Sequence, residues 1–208
     1  MSGLFISFEG IDGVGKSTQI ELLENYLGEF GRKTLRTFEP GGTELGQEIR
    51  NLLLHRKGQI GARAEALLFA ADRAHHSATK VKPALASGTD VIIDRYLDSS
   101  VAYQGAGREL DANEVRNLSL FAVQGLLPDL TILLDLDAAA ALSRRDKTGS
   151  EPDRLESEKL EFFEAVREGY LALAKAEPNR FFVVDAAQSV DDMATQIRTR
   201  VDELLNRS

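Results

Sequence analysis

Residues 10–17 read Gly10-Ile11-Asp12-Gly13-Val14-Gly15-Lys16-Ser17 and match the pattern G-x-x-x-x-G-K-[ST]. The stretch follows an apolar run that predicts a strand and opens a segment that predicts a helix, which is the context this pattern requires. Glycines allow successive backbone N–H groups to turn inward around a phosphate, and the helix N-terminus adds a positive dipole end. We therefore expect residues 10–17, together with Thr18, to bind a nucleoside triphosphate. Lys16 would reach its β- and γ-phosphates, and Ser17 would ligate Mg²⁺.

Outside this phosphate-binding loop (residues 10–17), short apolar runs alternate with longer amphipathic segments. That alternation is typical of a parallel sheet with crossover helices, and near-continuous apolar runs suit strands that are buried on both faces. The sequence therefore predicts an α/β fold of the P-loop NTPase type, with three α/β/α layers in a single domain over residues 1–208. Its five parallel strands are predicted at residues 4–8, 34–38, 90–94, 130–136 and 181–184.

Helix signals lie between these strands. Apolar residues recur on one face from residue 20 to Leu27 and Phe30, and Gly31 then stands where a glycine commonly ends a helix. Asp111 begins a capping box before a second apolar stripe that includes Phe121. We expect both phenylalanines to face the core.

Composition excludes several classes of function. The 208 residues include no cysteine and only three histidines, so a disulfide framework or a thiolate site is excluded and a histidine-based metal site is disfavoured. The formal charge of −8 argues against a large nucleic-acid interface. No apolar run reaches the roughly 18 residues of a membrane span, and the first residues lack the pattern of a signal peptide. We therefore expect a cytoplasmic protein that binds neither nucleic acid nor membrane.

A phosphate-binding loop alone does not define a function, because kinases, ATPases, GTPase switches and sensors all use one. A GTPase would also need the guanine-reading pattern N-K-x-D, which is absent from this sequence. The residues that select a function must therefore lie elsewhere in the chain.

Two clusters directly follow predicted strands, where ligands bind in open α/β sheets. The first, Glu39-Pro40-Gly41-Gly42-Thr43, predicts a tight loop over the ligand crevice, although an ordinary strand-to-helix turn has the same composition. The second is Asp94-Arg95-Tyr96. There Asp94 is suited to hold Mg²⁺ or orient the acceptor, and Arg95 to clamp a phosphate. The alternative for Asp94 and Arg95 is a structural salt bridge.

Two further groups have the chemistry of a nucleoside pocket. Phe69 and Arg73 are four residues apart, so on a helix they share a face. A ring there is suited to stack on a base and the guanidinium to donate to a ring carbonyl, although a helical phenylalanine is more often part of the core. Hydroxyl and amide groups suited to a base and a sugar follow at Ser99, Ser100, Tyr103 and Gln104.

The segment 143–156 differs from the rest because it is almost wholly polar and carries Arg144, Arg145, Lys147 and Arg154. We expect that it does not pack into the core. By composition alone, it could be a solvated surface loop or a mobile lid.

In this order, these motifs resemble the thymidylate kinase family, in its bacterial type, of P-loop nucleoside monophosphate kinases. The resemblance extends from the first strand to the last helix. Its most specific parts are the Glu-Pro-Gly-Gly-Thr phrase at 39–43 and the run Asp-Arg-Tyr…Ser-Ser…Ala-Tyr-Gln-Gly from residue 94 to 105.

The resemblance implies ATP as phosphoryl donor, dTMP as substrate, Mg²⁺ and a homodimer. It implies that Arg95 holds the dTMP phosphate and that Asp12 meets the 3′-hydroxyl. Tyr103 would exclude a 2′-hydroxyl. On the base, Phe69 would stack on thymine and Arg73 would bind a ring carbonyl, with Ser100 and Gln104 reading the base edge. The remaining predicted contacts to substrate are Glu39, Pro40 and Ser99.

Some members of this family carry a catalytic arginine inside the phosphate-binding loop, where this chain has Gly13. Phosphoryl transfer needs positive charge around the γ-phosphate. We therefore interpret 143–156 as the lid that supplies it and count Arg144 and Arg145 as catalytic, together with Lys16, Arg95 and Asp94. Asp153 and Glu156 are expected to tie the closed lid to the substrate side. Two alternatives remain, another P-loop nucleoside or nucleotide kinase and an ATP-binding switch that is not a kinase.

Overall fold

A computed structural model describes residues 3–147 and 153–206. At its centre is a five-stranded, wholly parallel sheet in the order β2-β3-β1-β4-β5, which confirms the predicted α/β class. Each strand lies within one residue of its predicted limits. The strands are β1 (Phe5–Glu9), β2 (Thr34–Phe38), β3 (Asp90–Asp94), β4 (Leu130–Asp135) and β5 (Phe181–Asp185).

Helices connect the strands. They are α1 (Lys16–Glu29), α2 (Glu44–Arg50), α3 (Ala62–His76), α4 (Lys82–Ala86), α5 (Leu97–Ser100), α6 (Ala112–Val123), α7 (Ala138–Asp146), α8 (Leu160–Ala176) and α9 (Val190–Leu205). Three π-helical segments extend α2, α3 and α5, at Asn51–His55, Ser77–Val81 and Val101–Gly107. None of the helices in the described ranges is both long enough and apolar enough to cross a membrane.

The strands β1, β3 and β4 are buried as expected, but the expectation of burial on both faces was wrong for the edge strands β2 and β5, where Phe38 is 42% and Val183 is 43% exposed. All five residues of β1 are buried, and α1 packs Ile20, Leu23 and Leu27 against the sheet. Gly31 (φ +69°) lies just beyond the end of α1, which confirms the predicted helix end. The prediction was wrong for two phenylalanines. Phe30 is 65% exposed because the helix has already ended there, and Phe121 is 85% exposed because it lies on the outer face of α6.

Register brings the ends of three strands together at one edge of the sheet. Phe8 of β1 and Phe38 of β2 both pair with Asp94 of β3. The chain continues this pairing past the strands, because the Arg95 N–H donates to the Phe8 carbonyl (2.9 Å) and the Glu39 N–H to the Asp94 carbonyl (3.1 Å). The three loops that follow β1, β2 and β3 therefore begin side by side.

A buried ion pair fixes the helix that follows β3. Arg180, just before β5, donates from Nη1 and Nη2 to both carboxylate oxygens of Asp98 in α5 (2.6 and 2.9 Å). Arg180 is 9% exposed and Asp98 is fully buried, so each compensates the desolvation of the other.

We expect Asp98→Ala to lower the free energy of unfolding by about 3–5 kcal/mol, because it leaves the buried guanidinium of Arg180 without its bidentate partner. The matched control is Glu203→Ala, which removes the carboxylate of a surface pair with Arg200 and should change stability by less than about 1 kcal/mol. Urea denaturation measures both. Equal effects of the two substitutions would contradict this role of Asp98.

Candidate active site

One cavity of about 510 Å³ opens at the carboxyl edge of the sheet. It extends from the phosphate-binding loop to the helix α3. Its walls include the predicted residues Asp12, Gly13, Gly15, Lys16, Ser17, Thr18, Glu39, Pro40, Phe69, Arg73, Asp94, Arg95, Ser99, Ser100, Tyr103, Gln104, Arg144 and Arg145. The other predicted loop residues, Gly10, Ile11 and Val14, are buried beneath it.

The phosphate-binding loop depends on its glycines. Gly10 (φ +131°) and Gly13 (φ +86°) adopt conformations that other residues rarely reach. A Cβ on Gly13 would lie 2.2 Å from the Ala141 carbonyl oxygen of α7, so there is no room in this backbone for a side chain at this position. The N-cap of α1 is Gly15, which offers no side chain to the first-turn N–H groups, and these are therefore available to an anion.

Lys16 lies beneath the loop with only 7% of its side chain exposed. Its Nζ donates to the Gly10 and Ile11 carbonyls (3.1 and 3.0 Å) and lies 3.8 Å from the Asp12 carboxylate. Burial and the nearby Arg95 guanidinium lower the pKa of Lys16, whereas Asp12 and Asp94 oppose the shift.

Arg95 joins the loop to the opposite wall of the cavity. Its Nη2 donates to Asp12 Oδ1 (2.7 Å) and to the Tyr103 hydroxyl (3.0 Å). Burial alone would raise the pKa of Asp12, but Arg95 and Lys16 outweigh it and hold that pKa well below its ordinary value. Asp12 is therefore a carboxylate at neutral pH. The pairing that we considered as an alternative for Arg95 exists, but with Asp12 and not with Asp94.

Sequence reasoning missed Glu9, the last residue of β1. Its carboxylate is fully buried and accepts from the Tyr96 N–H (2.8 Å), the Ser99 hydroxyl (2.6 Å) and the Tyr170 hydroxyl (3.1 Å). Burial and the charge of Asp98 raise the pKa of Glu9 to about 7. In the sequence, the only signal for Glu9 is its position directly before the phosphate-binding loop.

The far wall combines an aromatic ring with a buried guanidinium. Phe69 packs in an apolar cluster with Leu54 and Leu155 and borders the cavity. Arg73, 1% exposed, donates to Glu39 Oε2 (2.7 Å), to the Ser100 hydroxyl (3.0 Å) and to two further oxygens.

Glu39 pairs with the guanidinium of Arg73 through one carboxylate oxygen, Oε2. Its second oxygen, Oε1, lies 2.9 Å from Nδ1 of the buried His76, whose other ring nitrogen is 2.8 Å from the Thr37 hydroxyl. Glu39 thus contacts Arg73 and His76 directly, which gives it a positioning role. His76 was not predicted, because nothing in its local sequence distinguishes it from His75.

A second buried carboxylate, Glu65 of α3, was also missed. It is fully buried and accepts from Gln104 Nε2 (2.9 Å), from Arg108 Nε (3.2 Å) and from Arg154 Nη2. Glu65 lies one helical turn before Phe69, which is the only local signal that it belongs to the same wall.

The polar segment 143–156 differs in part from expectation. Its first residues, including Arg144 and Arg145, belong to α7, and residues 148–152 lie outside the described residues. Arg144 donates to the Ala186 carbonyl (2.9 Å) and Arg145 to the Glu156 carbonyl (2.7 Å).

The expectation that this segment stays out of the core was wrong for Leu155, which is 8% exposed and packs with Phe69. Asp153 and Glu156 cap their own turn, because Asp153 Oδ1 accepts from the Leu155 and Glu156 N–H groups. Arg154 and Leu155 make the contacts to the substrate side, and Arg154 donates to the Leu53 carbonyl (2.7 Å).

A magnesium ion fits the donor set between the loop and β3. Asp94 Oδ1 is buried and has no hydrogen-bond partner among the described residues, and both Asp94 and Ser17 border the cavity. The described residues contain no cluster of three acidic or histidine side chains that could hold a metal by themselves. One carboxylate and one hydroxyl beside a phosphate loop suit Mg²⁺, which keeps several waters and takes further oxygens from the nucleotide.

The site combines a phosphate-binding loop with a facing cavity bordered by Arg95 and by two arginines of α7. These features are typical of a P-loop phosphotransferase.

The comparisons with known proteins agree. A family model described as "Thymidylate kinase" matches residues 8–197. The chain is 61% identical over 205 residues to the thymidylate kinase of Clavibacter michiganensis, which covers 99% of this chain and 97% of that protein. It is 64% identical over 200 residues to the thymidylate kinase of Leifsonia xyli, covering 96% and 95%. The crystal structure of thymidylate kinase from Ehrlichia chaffeensis matches with a TM-score of 0.78 at 32% identity, covering 97% of this chain and 99% of that one. The chain belongs to the thymidylate kinase family.

We expect Glu9→Gln to change how stability depends on pH. The folded protein protonates Glu9 below about pH 7, whereas the unfolded chain does so only near 4.5. Because the folded state binds more protons between these values, Glu9 contributes stability at low pH that is lost as the pH rises toward 7. The Gln variant lacks this loss, so its stability relative to wild type should increase from pH 5 to pH 8.

Urea denaturation at several pH values tests this expectation. Glu164→Gln, which replaces an exposed carboxylate of α8, controls for the change in formal charge. Parallel stability curves for wild type and Glu9→Gln would contradict the assignment.

Proposed function

We propose that this protein transfers the γ-phosphoryl group of ATP to dTMP, giving ADP and dTDP. The observation that carries the proposal is that one cavity contains both a phosphate-binding loop and, facing it, a ring, a guanidinium and an amide suited to a base, with Arg95 between them. The family to which the chain belongs supports the same reaction.

On the donor side, the N–H groups of residues 10–18 and the ammonium of Lys16 bind the ATP phosphates. Ser17 and Asp94 would hold Mg²⁺, which would neutralise charge on the phosphates. Arg144 and Arg145, at the end of α7 over the loop, are the cations placed to stabilise negative charge on the transferred group.

On the acceptor side, Arg95 holds the dTMP phosphate while Asp12, which it orients, accepts from the 3′-hydroxyl. Tyr103, fixed by its contact with Arg95, occupies the space that a ribose 2′-hydroxyl would need. Phe69 stacks on thymine, and Arg73 donates to a ring carbonyl. Ser100 and Gln104 read the base edge, and Glu39, Pro40 and Ser99 complete the wall.

No general base is required, because the attacking oxygen belongs to a phosphate that is already ionised. The residues act by placing the two phosphates in line and by stabilising the charge that develops between them. Two of the hydroxyls that border the cavity, those of Ser99 and Tyr103, are engaged with Glu9 and Arg95.

A homodimer and a cytoplasmic location stay predictions. In support of the dimer, the exposed side chains of Leu67 and Phe121 lie on α3 and α6, two helices that pack against each other and leave these residues uncovered.

We expect ADP release from ATP and Mg²⁺ to be stimulated strongly by dTMP, less by dUMP, and least by dCMP, dAMP and dGMP offered separately. The single methyl group that separates thymine from uracil is worth about 1–3 kcal/mol in an apolar pocket, so dUMP should retain some turnover. Stimulation by a different monophosphate would indicate a related kinase, and stimulation by none would favour an ATP-binding switch.

Phe69→Ala should raise the KM for dTMP about tenfold or more, since stacking on an aromatic ring contributes about 1–3 kcal/mol per base, and should leave the KM for ATP unchanged. Phe30→Ala, at the exposed end of α1, is the matched control. An equal rise in both KM values would contradict the assignment of Phe69 to the base.

A further inference from the structure

Glu65 is a fully buried carboxylate that lies behind the wall of the acceptor site, in contact with Gln104, and the reaction assigns it no role. It receives hydrogen bonds from three side chains in two parts of the chain, Gln104 and Arg108 in one and Arg154 in the other. Burial alone would raise its pKa, but the bond from Gln104 and the two guanidinium groups outweigh burial and lower it. Glu65 is therefore ionised, and an ionised carboxylate can only accept hydrogen bonds.

This fixes the orientation of a neighbouring amide. The atom of Gln104 that lies 2.9 Å from Glu65 Oε1 must be a donor, so it is Nε2. The amide oxygen then points away from Glu65, and it has no hydrogen-bond partner among the described residues. Because Gln104 borders the cavity, the group it can present there is an acceptor.

We propose that Glu65 sets the base specificity of this site by holding the Gln104 amide with its oxygen toward the base, so that the site selects a pyrimidine with an N3–H donor. The inference rests on the proposed function, since it concerns the same acceptor pocket. Glu65 is a positioning residue, because it contacts the base only through Gln104.

The polarity of the pyrimidine edge makes this selection effective. Thymine and uracil carry an N3–H donor beside the carbonyl at C4, whereas cytosine carries an acceptor at N3 and an amino group at C4. The Gln104 oxygen accepts a hydrogen bond from the N3–H of thymine or uracil and repels the N3 lone pair of cytosine. The Arg73 guanidinium can only donate hydrogen bonds, so it also favours the C4 carbonyl of thymine or uracil over the C4 amino group of cytosine. A free Gln104 could rotate by half a turn and match cytosine equally well, and Glu65 prevents this.

Arg154 connects the same carboxylate to the segment that follows residue 152. It donates to Glu65 from one side and to the Leu53 carbonyl from the other, and its neighbour Leu155 packs against Phe69. The carboxylate that orients Gln104 therefore also binds the segment 153–156, of which Leu155 and its neighbours border the cavity.

The test compares kcat/KM for dTMP, dUMP and dCMP in wild type, Glu65→Gln and Glu158→Gln. Glu158 is the matched control because it also pairs with Arg108 (2.7 Å) but does not contact Gln104. In Glu65→Gln, the new amide can donate to or accept from Gln104, so the fixed polarity is lost.

We expect Glu65→Gln to lower the dTMP-to-dCMP ratio of kcat/KM by about tenfold or more, because rejection of cytosine depends on the unmatched polar groups. The dTMP-to-dUMP ratio, which does not depend on N3, should stay as in wild type, and Glu158→Gln should change neither ratio. A purely structural role of Glu65 would reduce activity with all three substrates in proportion, and that result would overturn the inference.

If Glu65→Gln does not fold, the same dTMP-to-dCMP ratio of kcat/KM is measured in Gln104→Leu. This variant removes the amide and leaves Glu65 paired with both arginines. Loss of the dTMP-to-dCMP preference in that variant supports the inference, and an unchanged preference overturns it. A wild-type protein that phosphorylates none of these nucleotides would refute the proposed function itself, whereas normal wild-type selectivity retained in Glu65→Gln refutes only the role of Glu65.

Discussion

The contact between Arg95 and Asp12 joins the two halves of this site, and much of the remaining arrangement depends on it. Arg95 is the first residue after β3 and adopts a positive φ of 67°, which turns its side chain back across the end of β1 toward the loop. Its guanidinium meets Asp12 at 2.7 Å and Tyr103 at 3.0 Å. Beneath Arg95, the Glu9 carboxylate accepts hydrogen bonds from the Tyr96 N–H and from the Ser99 hydroxyl. An acceptor phosphate bound by Arg95 would therefore lie beside the phosphate-binding loop.

Carboxylates, of which Glu39 and Glu65 are buried and Asp12 is partly exposed, position the cations of this acidic protein. Glu39 orients Arg73, Asp12 orients Arg95, and Glu65 receives Arg108 and Arg154. Each pairing limits the positions that a long side chain can take, so less entropy is lost when a ligand binds. The net charge of −8 does not conflict with an anionic substrate, because the cavity itself gathers Lys16 and Arg95 with the two arginines of α7.

The elements and the loop could be predicted from the sequence because their signals are local. An apolar run followed by Gly10 to Ser17 specifies a strand, a phosphate-binding loop and a helix within a few residues. Glu9, Glu65 and His76 could not be predicted in this way. Their partners lie 90 residues away for Glu9 with Ser99 and 39 for Glu65 with Gln104, and among 33 acidic residues only the folded chain shows which are buried. Leu155 was misjudged for the same reason, since a single apolar residue in a polar segment gives no periodic signal.

Binding measurements most directly test the proposal that Arg95 binds the acceptor phosphate and that Asp12 of the loop holds Arg95 in place. Calorimetric titration of Arg95→Ala with dTMP and with ATP in the presence of Mg²⁺ separates the two halves of the site. Charge-assisted bonds of this kind contribute about 1.5–3 kcal/mol, so we expect dTMP to bind about tenfold to a hundredfold more weakly while the affinity for ATP stays close to that of wild type. Unchanged binding of dTMP, or an equal loss for both nucleotides, would contradict it.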